Sequence, residues 1–308
     1  MREERLHWTS REMFVAAFGP LAEMDDWLLQ RITSALEERT VPAGEPIYRE
    51  GEAPGWVHFM RQGRIRMSRK GGPTWTLEGR WVVGTYEAIR EAPRVTTAVA
   101  ETDLQLMRIP TSTWLEVLED SFELTRGSIA VAARSAAALE DRLPALGTTK
   151  RTRPRVRRIS SIVEKLAFLL DVEMLRGAGV QALADLAAGT RDEAFGAGDV
   201  VLERGVERDR LIFVVDGEVR ADRAHPDHAR TYGYGQLVGG PASFGAWSAP
   251  WRAIATVPTR TLSLPIEAGF DAMEEHFDLA RSVLAALATH RELVVEQLAR
   301  EVKDLVLT

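Results

Sequence analysis

Residues Val41 to Met67 read VPAGEPIYREGEAPGWVHFMRQGRIRM, and residues Phe195 to Ala221 read FGAGDVVLERGVERDRLIFVVDGEVRA. Gly44, Gly51 and Gly63 of the first stretch return as Gly198, Gly205 and Gly217 of the second, each displaced by 154 residues. The apolar runs between them shift by the same amount: Ile47-Tyr48 with Val201-Leu202, and Val57 to Met60 with Leu211 to Val214. The chain is therefore an internal duplication. Glycine supplies positive φ without steric cost, so glycines at fixed gaps around short β-branched and apolar runs predict short strands joined by tight turns. Such strands suit a closed or double-sheet β structure.

Working outward, Gly63-Arg-Ile-Arg66 and Gly217-Glu-Val-Arg220 each end a short apolar strand that comes after a Gly-x-x-x-x-x-x-Gly run. This pattern resembles the opening half of the cyclic-nucleotide-binding domain, the β-roll of kinase regulatory subunits, catabolite activators and gated channels. The resemblance covers nearly the whole chain, in two copies. It implies a mainly β fold with flanking helices: two tandem double-stranded β-helix (jelly-roll-like) domains at 1–143 and 159–308, with a basic linker at 144–158.

Composition narrows the function. At 308 residues the chain is long enough for about two domains with separate cores. It has no cysteine, so disulfides and thiolate metal sites are excluded. Nothing near the start reads as a secretory leader, and no apolar run is long enough to span a bilayer, which predicts a cytoplasmic protein without membrane insertion. A net charge of −6 and a pI near 5.7 argue against a general nucleic-acid binder.

In chain order, Leu21, Met24, Trp27, Leu28, Ile32 and Leu36 recur at helical spacing and predict one apolar face, packed on the following barrel or on a second copy. After the first strands, Gly84 is followed ten residues later by Pro93-Arg94 and then by Val95-Thr96-Thr97-Ala98. In the resembled family this is the phosphate-binding cassette, in which Gly-Glu opens a short helix and Pro-Arg closes it. The resemblance implies that Gly84, Thr85, Arg94, Val95 and Thr96 line a ligand site. Arg94 is then the guanidinium that neutralises a cyclic phosphodiester by charge-assisted hydrogen bonds, alongside backbone N–H donors. From spacing alone, Arg94 could equally pair with Glu87 or Glu91 at the barrel rim.

The family's ribose-binding glutamate is Thr85 here. Glu87 lies two residues away, roughly 200° around a helix, which predicts that it does not substitute. Loss of that charged acceptor would weaken ribose recognition by about 1.5–3 kcal/mol. In the second copy Gly239-Gly240 opens the cassette, and the arginine candidate is Arg252, followed by Ala253. Arg252 stands thirteen residues beyond Gly239, which suggests a lengthened loop carrying Trp247, Ser248 and Trp251 that could fill the pocket instead of lining it.

Between the copies, Lys150, Arg151, Arg153, Arg155, Arg157 and Arg158 make a basic run, read as a solvated connector or as a contact for nucleic acid or an acidic partner. Residues 267–308 carry apolar positions at helical intervals from Phe270 to Leu305. The last part, Val294 to Leu305, predicts either packing within the chain or a contact with a second copy or another protein. The segment after the second barrel reads as continuous helix and not as a winged helix-turn-helix. His225 and His228 fall in an expected hairpin loop, so no metal site is predicted, and no nucleophile or paired-carboxylate motif stands out.

These features predict a non-catalytic regulatory or adaptor protein without a bound cofactor. Its first domain would bind a cyclic mononucleotide, cyclic AMP or cyclic GMP, or a related small phosphate ester, and relay occupancy through the helices after the barrel. A protein partner or a homodimer through the C-terminal helix would receive the signal. The alternative is a pair of degenerate domains that no longer bind nucleotide and act as a protein-interaction scaffold.

Overall fold

The computed structural model describes residues 11, 13–15, 17–23, 25–143, 159–207, 209–222, 229–245, 248 and 251–308. The basic run at 150–158, together with His225 and His228, lies outside the described residues. The chain forms two compact units, Met1–Val131 with Val295–Thr308, and Ala132–Val294. The division falls inside two helices, and 295–308 counts with the first unit, whereas the sequence alone suggested that the whole of 159–308 belongs to the second copy.

In the first unit a 3-10 turn, Gly19–Glu23, precedes helix α1, Asp26–Ala35. Leu21, Leu28, Ile32 and Leu36 are buried as their spacing predicts, but Trp27 is 53% exposed and does not share that face. Strands β1 (Glu37–Val41), β2 (Pro46–Tyr48), β3 (Trp56–Met60), β4 (Arg64–Ser68), β5 (Thr74–Glu78) and β6 (Trp81–Val83) lead to a short helix α2 (Thr85–Arg90). Strands β7 (Thr97–Ala100) and β8 (Leu104–Pro110) come next, then helices α3 (Thr111–Asp120) and α4 (Phe122–Glu140). One sheet has the order β1-β8-β3-β6.

Side chains alternate across a strand, and β3 shows the consequence. Phe59 packs edge-on against Phe18 and Trp114, with ring centroids at 5.3 and 5.8 Å, so this face of β3 meets the helices. His58 therefore points the other way, into the roll, where its ring lies 6.1 Å from that of Tyr48.

The second unit contains α5 (Ile162–Asp171) and α6 (Val180–Gly189), then β9 (Arg191–Phe195), β10 (Val200–Leu202), β11 (Arg210–Asp216), β12 (Val219–Asp222) and β13 (Arg230–Tyr232). A 3-10 turn, Gly240–Gly245, stands where the first unit has α2. Strands β14 (Arg252–Ala255) and β15 (Thr259–Pro265), helix α7 (Ile266–Glu275) and helix α8 (Phe277–Glu301) complete the copy. Helix α5 begins with a capping box: Ser161 accepts from the Glu164 N–H, and the Glu164 carboxylate accepts in return from the Ser161 N–H. These return hydrogen bonds hold the Glu164 carboxyl below its ordinary range.

The duplication predicted from glycine spacing extends to every main strand, and all six repeat glycines adopt positive φ. The chain is mainly β with flanking helices, in two tandem β-rolls. After α8 the chain is not helical to its end, as the sequence suggested it would be. It finishes in a strand, β16 (Val306–Leu307), that pairs in parallel with β5, so that the second sheet of the first unit runs β16-β5-β4-β7-β2. Val294, Leu298, Leu305 and Leu307 are all buried. Among the described residues, no helix is long and apolar enough to cross a membrane.

Candidate functional site

In the first roll Gly84 opens the short helix α2, and Pro93-Arg94 stand just beyond its end. Gly84 precedes α2 with φ 84°, and a Cβ there would lie 2.5 Å from the Arg94 Nη1, so glycine serves both the left-handed turn and the approach of the guanidinium. The backbone of Arg94 is fixed to the loop before β3: its N–H donates to the Glu52 carbonyl at 2.8 Å, and its carbonyl accepts from the Gly51 N–H at 2.8 Å. This turn therefore delivers Arg94 to one place inside the roll.

The guanidinium is 3% exposed and does not face an open hollow. Nη1 donates to the Gly84 carbonyl at 2.8 Å and to the Glu87 Oε2 at 3.3 Å, and Nη2 donates to the Trp56 carbonyl. The Arg94 Cζ lies 4.4 Å from the centre of the Tyr48 ring, a cation–π stack. The other oxygen of Glu87 accepts from the Val95 N–H at 3.3 Å. Of the two arrangements left open by the sequence, Arg94 does pair with Glu87. The pair sits in the interior and not at the rim, since Glu87 is also 3% exposed. Of the other cassette residues, Thr85 and Val95 are half-buried and Thr96 is buried.

Beside this pair lies a residue to which the cassette pattern gave no role. His58 is 2% exposed, and neither of its ring nitrogens has a hydrogen-bond partner; the Nε of Arg94 has none either. Burial, and next the charge of Arg94, push the His58 imidazole down to about 3, so it is neutral at any working pH. A signal was available: in the apolar strand WVHFM the histidine aligns, 154 residues on, with Ile212.

The second roll differs at each of these positions. In the first roll Met67 and Ile65 stand opposite Ala98 and Ala100; in the second, Ala221 and Val219 stand opposite Ala253 and Ala255. The copies are thus displaced by 155 residues across β7 and β14, and the expected three-residue lengthening does not occur. Arg252 corresponds to Thr97, and by the same displacement the sequence aligns Ala249 with Arg94. Arg252 is exposed at the start of β14, with its Nε 3.8 Å from Glu203, and is not a cassette arginine. Trp251, at the place of Thr96, is 2% exposed and packs in the interior with Ile212, Val214, Ala253 and Ala255. Tyr48 and His58 have Leu202 and Ile212 as counterparts, so the second interior is apolar where the first is polar.

Two other features lie apart from the cassette. A groove of about 680 Å3 runs along β1 and β8, lined by Arg39, Arg61, Gln62 and Asp103 among others, and no cassette residue lines it. In the second unit Asp185, Glu275 and His276 bring ligand-type atoms within 4.8 Å of one another at the surface, with His276 Nε2 2.8 Å from Asp185 Oδ2.

Residues 38–121, which carry this geometry, match the family model described as the cyclic nucleotide-binding domain. No curated protein sequence matches the chain. Among solved structures, the chain is similar to the regulatory domain of Toxoplasma gondii PKA crystallised with cAMP, at 15% identity over 95% of this chain and 97% of that one, with a TM-score of 0.34. It is similar also to the regulatory subunit of a cAMP-independent protein kinase A from Trypanosoma cruzi bound to guanosine, at 15% identity over 98% and 95%, with a TM-score of 0.35. A cAMP-binding acyltransferase from Mycobacterium smegmatis matches over 43% of this chain and 42% of its own length, at 18% identity and a TM-score of 0.37.

Proposed function

We propose that this chain is a non-catalytic, cytoplasmic regulatory module whose first roll binds a cyclic mononucleotide or a related small phosphate ester, and whose second roll is a filled, non-binding partner. One observation carries the reading: a buried arginine and a buried, unpartnered histidine share the interior of the first roll, at positions that are apolar or alanine in the second. Polar groups are retained inside a core at a stability cost, so the presence of these two at positions that are apolar or alanine in the other copy argues for a use. The guanidinium supplies the counter-charge for a singly charged phosphodiester, with Gly84, Thr85, Val95 and Thr96 around it, and His58 offers one donor and one acceptor to the rest of the ligand.

Helix α2 packs against β3 and α3, so a change at the cassette reaches the helices after the roll and, through them, a protein partner. Ligand acts only to the extent that it binds the two arrangements unequally. Calorimetric titration of the full chain with cyclic AMP and cyclic GMP tests the proposal, with Arg94→Lys as the control that keeps the charge and loses the planar fork. The expected result is a Kd of about 10 μM or tighter for one of them, weakened tenfold or more by Arg94→Lys. Absence of binding at millimolar ligand would leave the scaffold reading in its place.

A further inference from the structure

The contacts of Glu87 reach beyond that reading. Its carboxylate straddles two donors, the Arg94 guanidinium and the Val95 N–H, each at 3.3 Å. A guanidinium side by side with the N–H of the following residue is the donor pair that an anionic oxygen group would seek, and here it already holds one. The sequence of the second copy has neither half of the pair, since at the displacement of 155 residues Ala242 aligns with Glu87 and Ala249 with Arg94. The carboxylate is present only where the guanidinium is.

We infer that Glu87 is a built-in competitor for the anion seat of the first roll, so that a ligand phosphate binds by exchanging with the Glu87 carboxylate. The inference rests on the reading of this roll as a phosphate-ester site. Exchange swaps one singly charged group for another, so the guanidinium never stands without a counter-charge in the interior. The local backbone is built for a hinged movement. Glu87 sits in α2, a single short helix held between two left-handed residues, Gly84 at φ 84° and Glu91 at φ 50°, the second an unusual conformation for a residue with a side chain. Expulsion of the carboxylate therefore moves α2 against β3 and α3, the elements on which it packs. In this scheme Glu87 sets the threshold: it lowers affinity for every anion equally and makes ligand entry and helix displacement one event.

The experiment uses the full chain and two probes, cyclic AMP by calorimetry and inorganic sulfate by thermal unfolding, on the unmutated protein, Glu87→Gln and the double variant Glu87→Gln/Arg94→Lys. The neutral isostere should bind cyclic AMP at least tenfold more tightly than the unmutated protein. Millimolar sulfate should raise its midpoint by several degrees, with little effect on the unmutated chain or the double variant. Where Glu87→Gln folds poorly on its own, rescue of folding by sulfate is the same positive result, and no rescue overturns the inference. If the unmutated protein binds cyclic AMP and Glu87→Gln binds it no more tightly, the competitor role is wrong and the nucleotide reading stands. If nothing binds cyclic AMP but Glu87→Gln takes up sulfate through Arg94, the competitor role stands and the nucleotide reading fails.

Discussion

Replacing His58 by isoleucine, the residue at its place in the second roll, tests the picture of the first interior with a magnitude. In the folded protein the imidazole is pushed down to about 3 from its ordinary 6.5, by burial first and by Arg94, Arg39 and Arg108 after it. A depressed value means that the unfolded chain binds the proton more readily. The folded state is therefore at full advantage above pH 6.5, and the advantage drains away as pH falls from there toward 3. Between pH 7 and pH 5 the difference amounts to about 2 kcal/mol, and to about 4 kcal/mol if followed to about pH 3.

His58→Ile removes this dependence. It also removes a buried polar ring with no partner, so at neutral pH the variant should be as stable as the parent or more so. Urea unfolding monitored by tryptophan fluorescence at about pH 7, 6 and 5 measures both effects. The parent should lose about 2 kcal/mol more than His58→Ile across that interval, since the three arginines keep their charge throughout. Equal losses in the two proteins would show that the imidazole is not held neutral in a closed interior, and the reasoning about the site would fall with it.

The contrast between the rolls yields two further outcomes. Trp251→Ala should destabilise the second unit by about 3–5 kcal/mol, read by chemical denaturation, because it empties a filled interior, and it should leave ligand titration of the first roll unchanged. Gly84→Ala should destabilise the first unit by about 1–2 kcal/mol from the left-handed backbone alone. Its methyl group would also push the Arg94 guanidinium away from the Gly84 carbonyl, so calorimetry should show any cyclic-nucleotide binding weakened as well.

Sequence alone determined the architecture. Glycines at fixed gaps, with apolar runs between them, specify strand and turn locally, and a duplication doubles the information because each copy checks the other. The cassette was legible for the same reason: the Gly84 turn and the Pro93-Arg94 end are spaced by local backbone geometry.

What only the tertiary structure decided was contact between residues far apart in the chain or shifted by one position. The displacement of 155 residues across the paired strands leaves Arg252 three positions beyond the cassette arginine and turns Trp251 into the core, because strand register exchanges the inward and outward faces at every step. The pairing of Glu87 with Arg94 depends on how a six-residue helix is rotated between its two left-handed ends. His58 looked like one residue of an apolar strand until the roll closed around it and left its ring beside a guanidinium. The terminal β16 strand was hidden in an apparent helix because its partner, β5, lies far earlier in the chain. Local propensity cannot report such pairings, since the free energy that fixes them comes from surfaces that meet only in the folded protein.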